Sequence, residues 1–156
     1  MSKYVHKSHN VSILMYHIVC PAKYRKVIFS EEADEVLKEI CLEIEKRYEI
    51  YFIEIGADKD HVHFFIQSVP TYSLKKIVQT IKSITARKMF ERMPEIKEKL
   101  WGGEFWSKGY FISTVGKHGS ETNVANYIKN QGKTYDGYQV MHKIERLSIL
   151  DESPII

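Results

Sequence analysis

The chain has little of what marks a secreted or membrane protein. Only two cysteines occur in its 156 residues, Cys20 and Cys41, and they form no Cys-x-x-Cys pair. Such spacing argues against a disulfide framework or a zinc knuckle and fits a reducing compartment. No apolar run approaches the roughly 20 residues of a membrane helix. The opening MSKYVHKSHNVS lacks the apolar core of a signal peptide. No repeat, low-complexity tract or linker divides the chain, whose length suits one compact domain better than two. A single-domain, soluble, cytoplasmic protein with no membrane partner is expected. The apolar share of 44% and charged share of 28% are ordinary, and the net charge of +3 is mild. The placement of that charge says more than its total.

The pattern of apolar residues sets out the elements. NVSILMYHIVC (10–20) is apolar on both alternating faces, as in a strand covered on both sides, and Pro21 ends it. Ser30 can cap a helix over 31–48, whose stripe is Val36, Leu37, Ile40, Cys41, Ile44 and Tyr48. A strand over 49–57, a turn at 56–60 and a strand over 61–68 read as a hairpin. Ser73 can cap a second helix over 74–90, with Leu74, Ile77, Val78, Ile81 and Ile84 or Thr85 facing inward. A short helical piece at 94–100, a fourth strand at 108–116 and a last helix ending at Gly132 follow. The order β-α-β-β-α-β predicts an α+β fold of the ferredoxin-like split βαβ type. It has an antiparallel four-stranded sheet, two helices on one face and a further C-terminal helix. Fold alone does not assign function.

At the start of the third strand stands DHVHFF, 60–65. Alternation sends Val62, Phe64 and Ile66 to one face and His61, His63 and Phe65 to the other. Two imidazoles two residues apart can converge on one metal ion, or they can be two hydrogen-bonded histidines on a hairpin. Two nitrogens do not complete a site, and no thiolate is at hand for a structural zinc. A catalytic ion would keep positions open.

The helix NVANYIKNQG (123–132) bears on that choice. Residues four apart share a helix face, about 6 Å apart at Cβ. Asn123, Tyr127 and Gln131 form one such row, beside the apolar Val124 and Ile128. The Gln131 amide could be a third ligand for an ion held by His61 and His63, which would set the Tyr127 hydroxyl near it. A half-buried tyrosine with hydrogen-bonded amides gives the same pattern. A phenol, with a pKa near ~10, needs a cation or base before it attacks. Tyr135 and Tyr138 are rival nucleophiles on a segment with no clear helical face.

Charge is unevenly spread. The first helix holds Glu31, Glu32, Asp34, Glu35, Glu39, Glu43 and Glu45 against Lys38, Lys46 and Arg47. The second, over 74–90, holds Lys75, Lys76, Lys82, Arg87 and Lys88 and no acid. Its cationic face suits phosphates, or is simply solvated. Lys23, Arg25 and Lys26 add cations after the first strand, and Lys108, Lys117, Lys129 and Lys133 flank the candidate site. Trp101, Phe105, Trp106 and Tyr110 can stack on unpaired bases or belong to the core.

DHVHFF, preceded by VCPAKYRKVIF and followed by SLKKIVQTIKSITARK, FWSKGYFISTVG and NVANYIKNQG, resembles the single-tyrosine HUH transposases. These are the TnpA-type enzymes of very small insertion sequences that move as single-stranded DNA. The five blocks run in the family's order over about 10–132, leaving 133–156 as a tail. The resemblance implies that His61, His63 and Gln131 hold a divalent ion, Mg2+ or Mn2+. It implies that Tyr127 attacks DNA to form a 5′-phosphotyrosine and release a 3′-OH. It also implies binding to imperfect single-strand hairpins at element ends, and a homodimer in which the tyrosine helix of one subunit can complete the other's site. A domesticated relative acting on chromosomal palindromes fits the same blocks. A non-catalytic ferredoxin-like nucleic-acid-binding module is the alternative of a different kind. A replication or conjugation nickase fits less well, since those enzymes are usually larger and often carry a third histidine.

Overall fold

The computed structural model describes residues 4–115 and the backbone of Gln139–Lys143. Strands β1 (Val5–His6) and β2 (Val11–Ser12) form a small antiparallel ribbon. The main chain of the fold then runs β3 (Leu14–Pro21), α1 (Glu31–Arg47), β4 (Tyr51–Ala57), β5 (His61–Ser68), α2 (Leu74–Arg92), α3 (Pro94–Lys99) and β6 (Phe111–Val115). These four strands pair antiparallel in the order β6-β3-β5-β4, the arrangement expected of the split βαβ pattern. A fifth strand, β7 (Gln139–Lys143), pairs with β4 and extends the sheet. Periodicity predicts four strands only, because β7 lies in a tail with no clean alternation. The apolar stretch 10–20 also divides, with 11–12 in the ribbon and 14–21 in the sheet.

Both long helices start where a serine is placed to stop the chain fraying. Ser30 Oγ accepts from the Ala33 amide at 3.1 Å, and Ser73 Oγ accepts from the Lys76 amide at 3.0 Å. In α1, Ala33, Leu37, Ile40, Cys41 and Ile44 are buried at helical spacing against the sheet. In α2 the buried stripe is Ile77, Val78, Ile81, Thr85 and Met89. Leu74, expected inside, is 41% exposed at the helix start. Thr85 takes the contested inner position because Trp106 Nε1 donates to its Oγ1 at 2.9 Å, which satisfies both buried polar groups. Trp106 is therefore core, in contact with Phe29, Phe64 and Phe105, whereas Tyr110 is exposed.

The sheet supplies the other half of this core through Tyr16, Ile18 and Cys20 of β3, Phe52, Ile55 and Ala57 of β4, and Val62, Phe64 and Ile66 of β5. The β4–β5 register shifts between Phe52 and Glu54, so β4 carries an irregularity that sets Glu54 beside Phe65. Among the described residues no helix is long and apolar enough to cross a membrane.

Candidate active site

Strand β5 has a hydrogen-bonded neighbour on each side, so its side chains stand on a doubly laddered backbone. Alternation turns Val62, Phe64 and Ile66 toward the helices, as expected, and His61, His63, Phe65 and Gln67 the other way. That second face is largely covered. His63 is only 4% exposed, and Glu54, Phe65 and Gln67 are buried with it.

Each histidine is held by its Nδ1. His61 Nδ1 meets Asp60 Oδ1 at 2.7 Å, and Arg25 Nε donates to Asp60 Oδ2 at 3.1 Å. Burial pushes the Asp60 carboxyl up, but the His61 hydrogen bond and the Arg25 guanidinium outweigh it, and the carboxyl stays below its usual range. Asp60 is thus an anion, and its Oδ1 accepts a hydrogen bond from His61 Nδ1. Across the sheet, His63 Nδ1 meets His17 Nε2 at 3.1 Å. His17 pairs with Phe65 in the β3–β5 register, so His63 is its diagonal neighbour on the same face. The two imidazoles are inclined by only 11° with centroids 5.3 Å apart. That separation matches the nitrogen–nitrogen distance plus the two ring radii, so the rings lie edge to edge in nearly one plane and share an in-plane hydrogen bond.

Burial, reinforced by the neighbouring His17 and His61, pushes His63 down to about 3. Burial also lowers His17. Both rings are therefore neutral near pH 7, the state a metal ligand requires. With both Nδ1 atoms engaged, Nε2 is the ligating atom that His61 and His63 can each offer, and the two ring centroids are 5.0 Å apart. Asp58 Oδ2 stands 4.0 Å from His61 Nε2. Among the described residues no three His, Cys, Asp or Glu side chains gather as a metal-holding group. Two imidazoles from one strand are a partial ligand set, which fits an ion that takes further donors from elsewhere. Tyr127 and Gln131 lie outside the described residues, as do Lys117, Lys129, Lys133, Tyr135 and Tyr138.

The cations of α2 gather elsewhere. Lys75, Lys76, Lys82 and Arg87 line a groove of about 990 Å³ with Lys108 and Tyr110, between α2 and the segment leading into β6. Lys82 Nζ donates to the carbonyls of Ser107 at 2.7 Å, Lys108 at 3.2 Å and Gly109 at 3.4 Å, so this cation fastens the groove's wall. Lys88 is not part of the groove. It faces α1 near Glu43 and Arg47 and lies 3.8 Å from Glu91, in the last turn that α2 adds beyond 90.

Two partners of the histidines are not evident from sequence patterns. In the sequence His17 is one residue of an apolar strand. Its signal is its parity, opposite to Tyr16, Ile18 and Cys20, combined with a topology that sets the first strand beside the third. Asp60 reads as a turn residue, although a carboxylate directly before a histidine is a ready Nδ1 acceptor.

Similar proteins place the chain. The model of the family described as "Transposase IS200 like" matches residues 10–131. ISDra2 transposase TnpA of Deinococcus radiodurans is 33% identical over 118 residues, covering 76% of this chain and 84% of that protein. The transposase for insertion sequence element IS200 of Salmonella typhimurium is 28% identical over 116 residues, covering 74% of this chain and 75% of its own. A solved structure described as a transposase from Deinococcus radiodurans superimposes with a TM-score of 0.64 at 30% identity, over 81% of this chain and 97% of that one. A REP-associated tyrosine transposase bound to a REP hairpin shares the fold, with a TM-score of 0.51 at 6% identity, over 80% of this chain and 67% of that one. Blocks in the family's order, a split βαβ sheet and a match across most of the chain agree: this protein belongs to the IS200-like transposase family.

Proposed function

We propose that this transposase cleaves and rejoins single-stranded DNA at hairpin-marked element ends, with Tyr127 as nucleophile and a divalent ion held by His61, His63 and Gln131. The observation that carries the reading is the pair of imidazoles on β5, each tied at Nδ1 by a partner, which makes Nε2 the atom that each can turn to a metal. Metal-ligating histidines are commonly oriented in this way through the second ring nitrogen. Of Mg2+ and Mn2+, a site with two imidazole donors suits Mn2+ better, because Mg2+ holds more strictly to oxygen ligands. Such an ion, once bound, polarises the phosphoryl oxygen and orients the leaving group.

The chain's own groups account for the rest. Asp60 and His17 fix the ring orientations, so the ligating atoms need little rearrangement when DNA arrives. The Tyr127 phenolate oxygen forms a bond to phosphorus, the bond from phosphorus to the 3′ oxygen breaks, and that oxygen takes a proton to leave as a 3′-OH. Phosphoester energy is kept in the 5′-phosphotyrosine, so a 3′-OH can reverse the step on another strand. The groove of α2 would hold the phosphates of a hairpin, as the hairpin-bound fold relative suggests. The cationic side chains there can neutralise a phosphate backbone. A homodimer in which one subunit's tyrosine helix serves the other's histidines belongs to the same reading.

The test is covalent trapping. The protein is mixed with single strands from its own genomic flanks, with and without Mn2+ or Mg2+, and denatured complexes are mapped by peptide mass. An ion-dependent adduct on Tyr127 is expected, absent in Tyr127→Phe while hairpin binding persists. An adduct that survives Tyr127→Phe moves the nucleophile elsewhere. Tight binding without any adduct favours a pure binding module.

A further inference from the structure

Among the described residues, three that are not glycine have positive φ: Tyr24 at 58°, Arg25 at 52° and Trp101 at 54°. A side chain in the left-handed region costs about 1–2 kcal/mol per residue. Strain of this kind tends to mark functional positions. Here all three converge. Tyr24 and Trp101 lie against each other, with ring centroids 5.6 Å apart at 52°. Arg25 is the residue that reaches Asp60 and, through it, His61.

Packing does not account for these conformations. Trp101 is 73% exposed and Tyr24 is 60% exposed, although each is large enough to reward burial. Trp101 stands at the end of α3, where its amide bonds to Glu98 and that of Gly102 bonds back to Lys97. A glycine would satisfy this left-handed helix end at lower cost. An exposed tryptophan there gains little by folding. Cations surround the pair: Lys26 Nζ lies 4.5 Å from the centroid of Trp101, and Lys23 Nζ lies 5.3 Å from that of Tyr24. Lys23 also reaches Glu104 at 3.5 Å, and Glu104 belongs to the wall of the α2 groove. The surface therefore runs from the cationic groove, past Lys23, to the aromatic pair, and on through Arg25 and Asp60 to the histidines.

We infer that Tyr24 and Trp101 form a stacking platform for an unpaired base of the DNA strand between hairpin and cleavage site, with Lys26 beside its phosphate. Exposed aromatics interleaved with cations are the means by which single strands are held without sequence readout. The inference rests on the single-stranded DNA reading and does not depend on the metal or on Tyr127.

The chain offers a direct probe, because it has two tryptophans and the other, Trp106, is only 4% exposed. Intrinsic fluorescence is followed while a short oligothymidylate is added, and binding is followed separately by the anisotropy of a labelled copy. Quenching that tracks binding is expected, with or without a divalent ion. Trp101→Ala should remove the quenching and weaken binding roughly ten-fold, with Tyr24→Ala losing less. A blunt hairpin without a tail should bind with little quenching. If the oligonucleotide binds without quenching, or Trp101→Ala binds it as tightly, the platform is wrong and the single-strand reading stands. If no single strand binds at all, both fall. A blue shift on raising protein concentration alone would assign the platform to a second copy of the chain instead.

Discussion

The histidine face and the α2 groove meet the same substrate in the proposed reaction, yet they are built by opposite rules. The histidines sit on the central part of the sheet, His63 nearly dry and His61 half-buried, each fixed by a neighbour within hydrogen-bond reach. The groove is open and charged, and most of its cations stand on one exposed helix face. Chemistry on a phosphodiester needs ligating atoms held in place before the substrate arrives. Grip on a phosphate backbone needs only charge of one sign along a path, and it tolerates mobility. The first demand is met by burial and the second by its absence.

The sharpest way to break this contrast is to damage each region and measure both functions. His63→Ala should abolish ion-dependent cleavage and lower Mn2+ affinity by orders of magnitude while hairpin binding holds. His17→Phe keeps a buried ring but deletes the acceptor, and should weaken Mn2+ binding about 10- to 100-fold. His17→Gln, whose amide oxygen can accept the same proton, should recover much of it. Calorimetric Mn2+ titration measures all three, and unchanged affinity in His63→Ala would remove the metal assignment.

A smaller effect is expected in the groove. Charge reversal at Lys75, Lys76 and Arg87 should weaken DNA binding and flatten its salt dependence. The log–log slope should fall by about 0.7 for each single-strand phosphate that is no longer neutralised. Mn2+ affinity should not move. Lys82 is left intact in this variant because it holds the carbonyls of residues 107–109. An unchanged salt slope would put the DNA on another surface.

The smallest effect sharpens the burial half of the contrast. His63 has a folded-state pKa of about 3, below its ordinary value. Between about 3 and about 6.5 the unfolded chain therefore binds more protons at this residue than the folded one. The metal-free protein should lose stability as pH falls through that window and gain nothing from His63 above it. Urea unfolding at pH 7 and pH 5 measures the difference, which should shrink in His63→Ala. The solvated cations of the groove should contribute little to this trend.

Much of this was legible in the chain itself. The capping serines, most of each long helix's stripe and the order β-α-β-β-α-β needed only local periodicity, and the structure has them. His61 and His63 were legible as a pair because strand alternation is a local rule. The basic character of α2 was legible too, since no acid precedes Glu91 in it. Less visible were Leu74, turned outward by its place at the helix start, and Thr85, drawn inward by the indole of Trp106.

By itself, the sequence determined the split βαβ order, the side of β5 on which the histidines stand and the sign of charge on each long helix. These follow from periods of two and 3.6 residues and from charge counts, all of which act over a few residues. Only the tertiary structure decided that His17 orients His63, that Lys88 leaves the groove its neighbours form, and that Tyr24 meets Trp101. Each of these is a contact between distant segments, set by strand register or loop path. Register depends on how whole faces fit together, and no short window of residues contains that information.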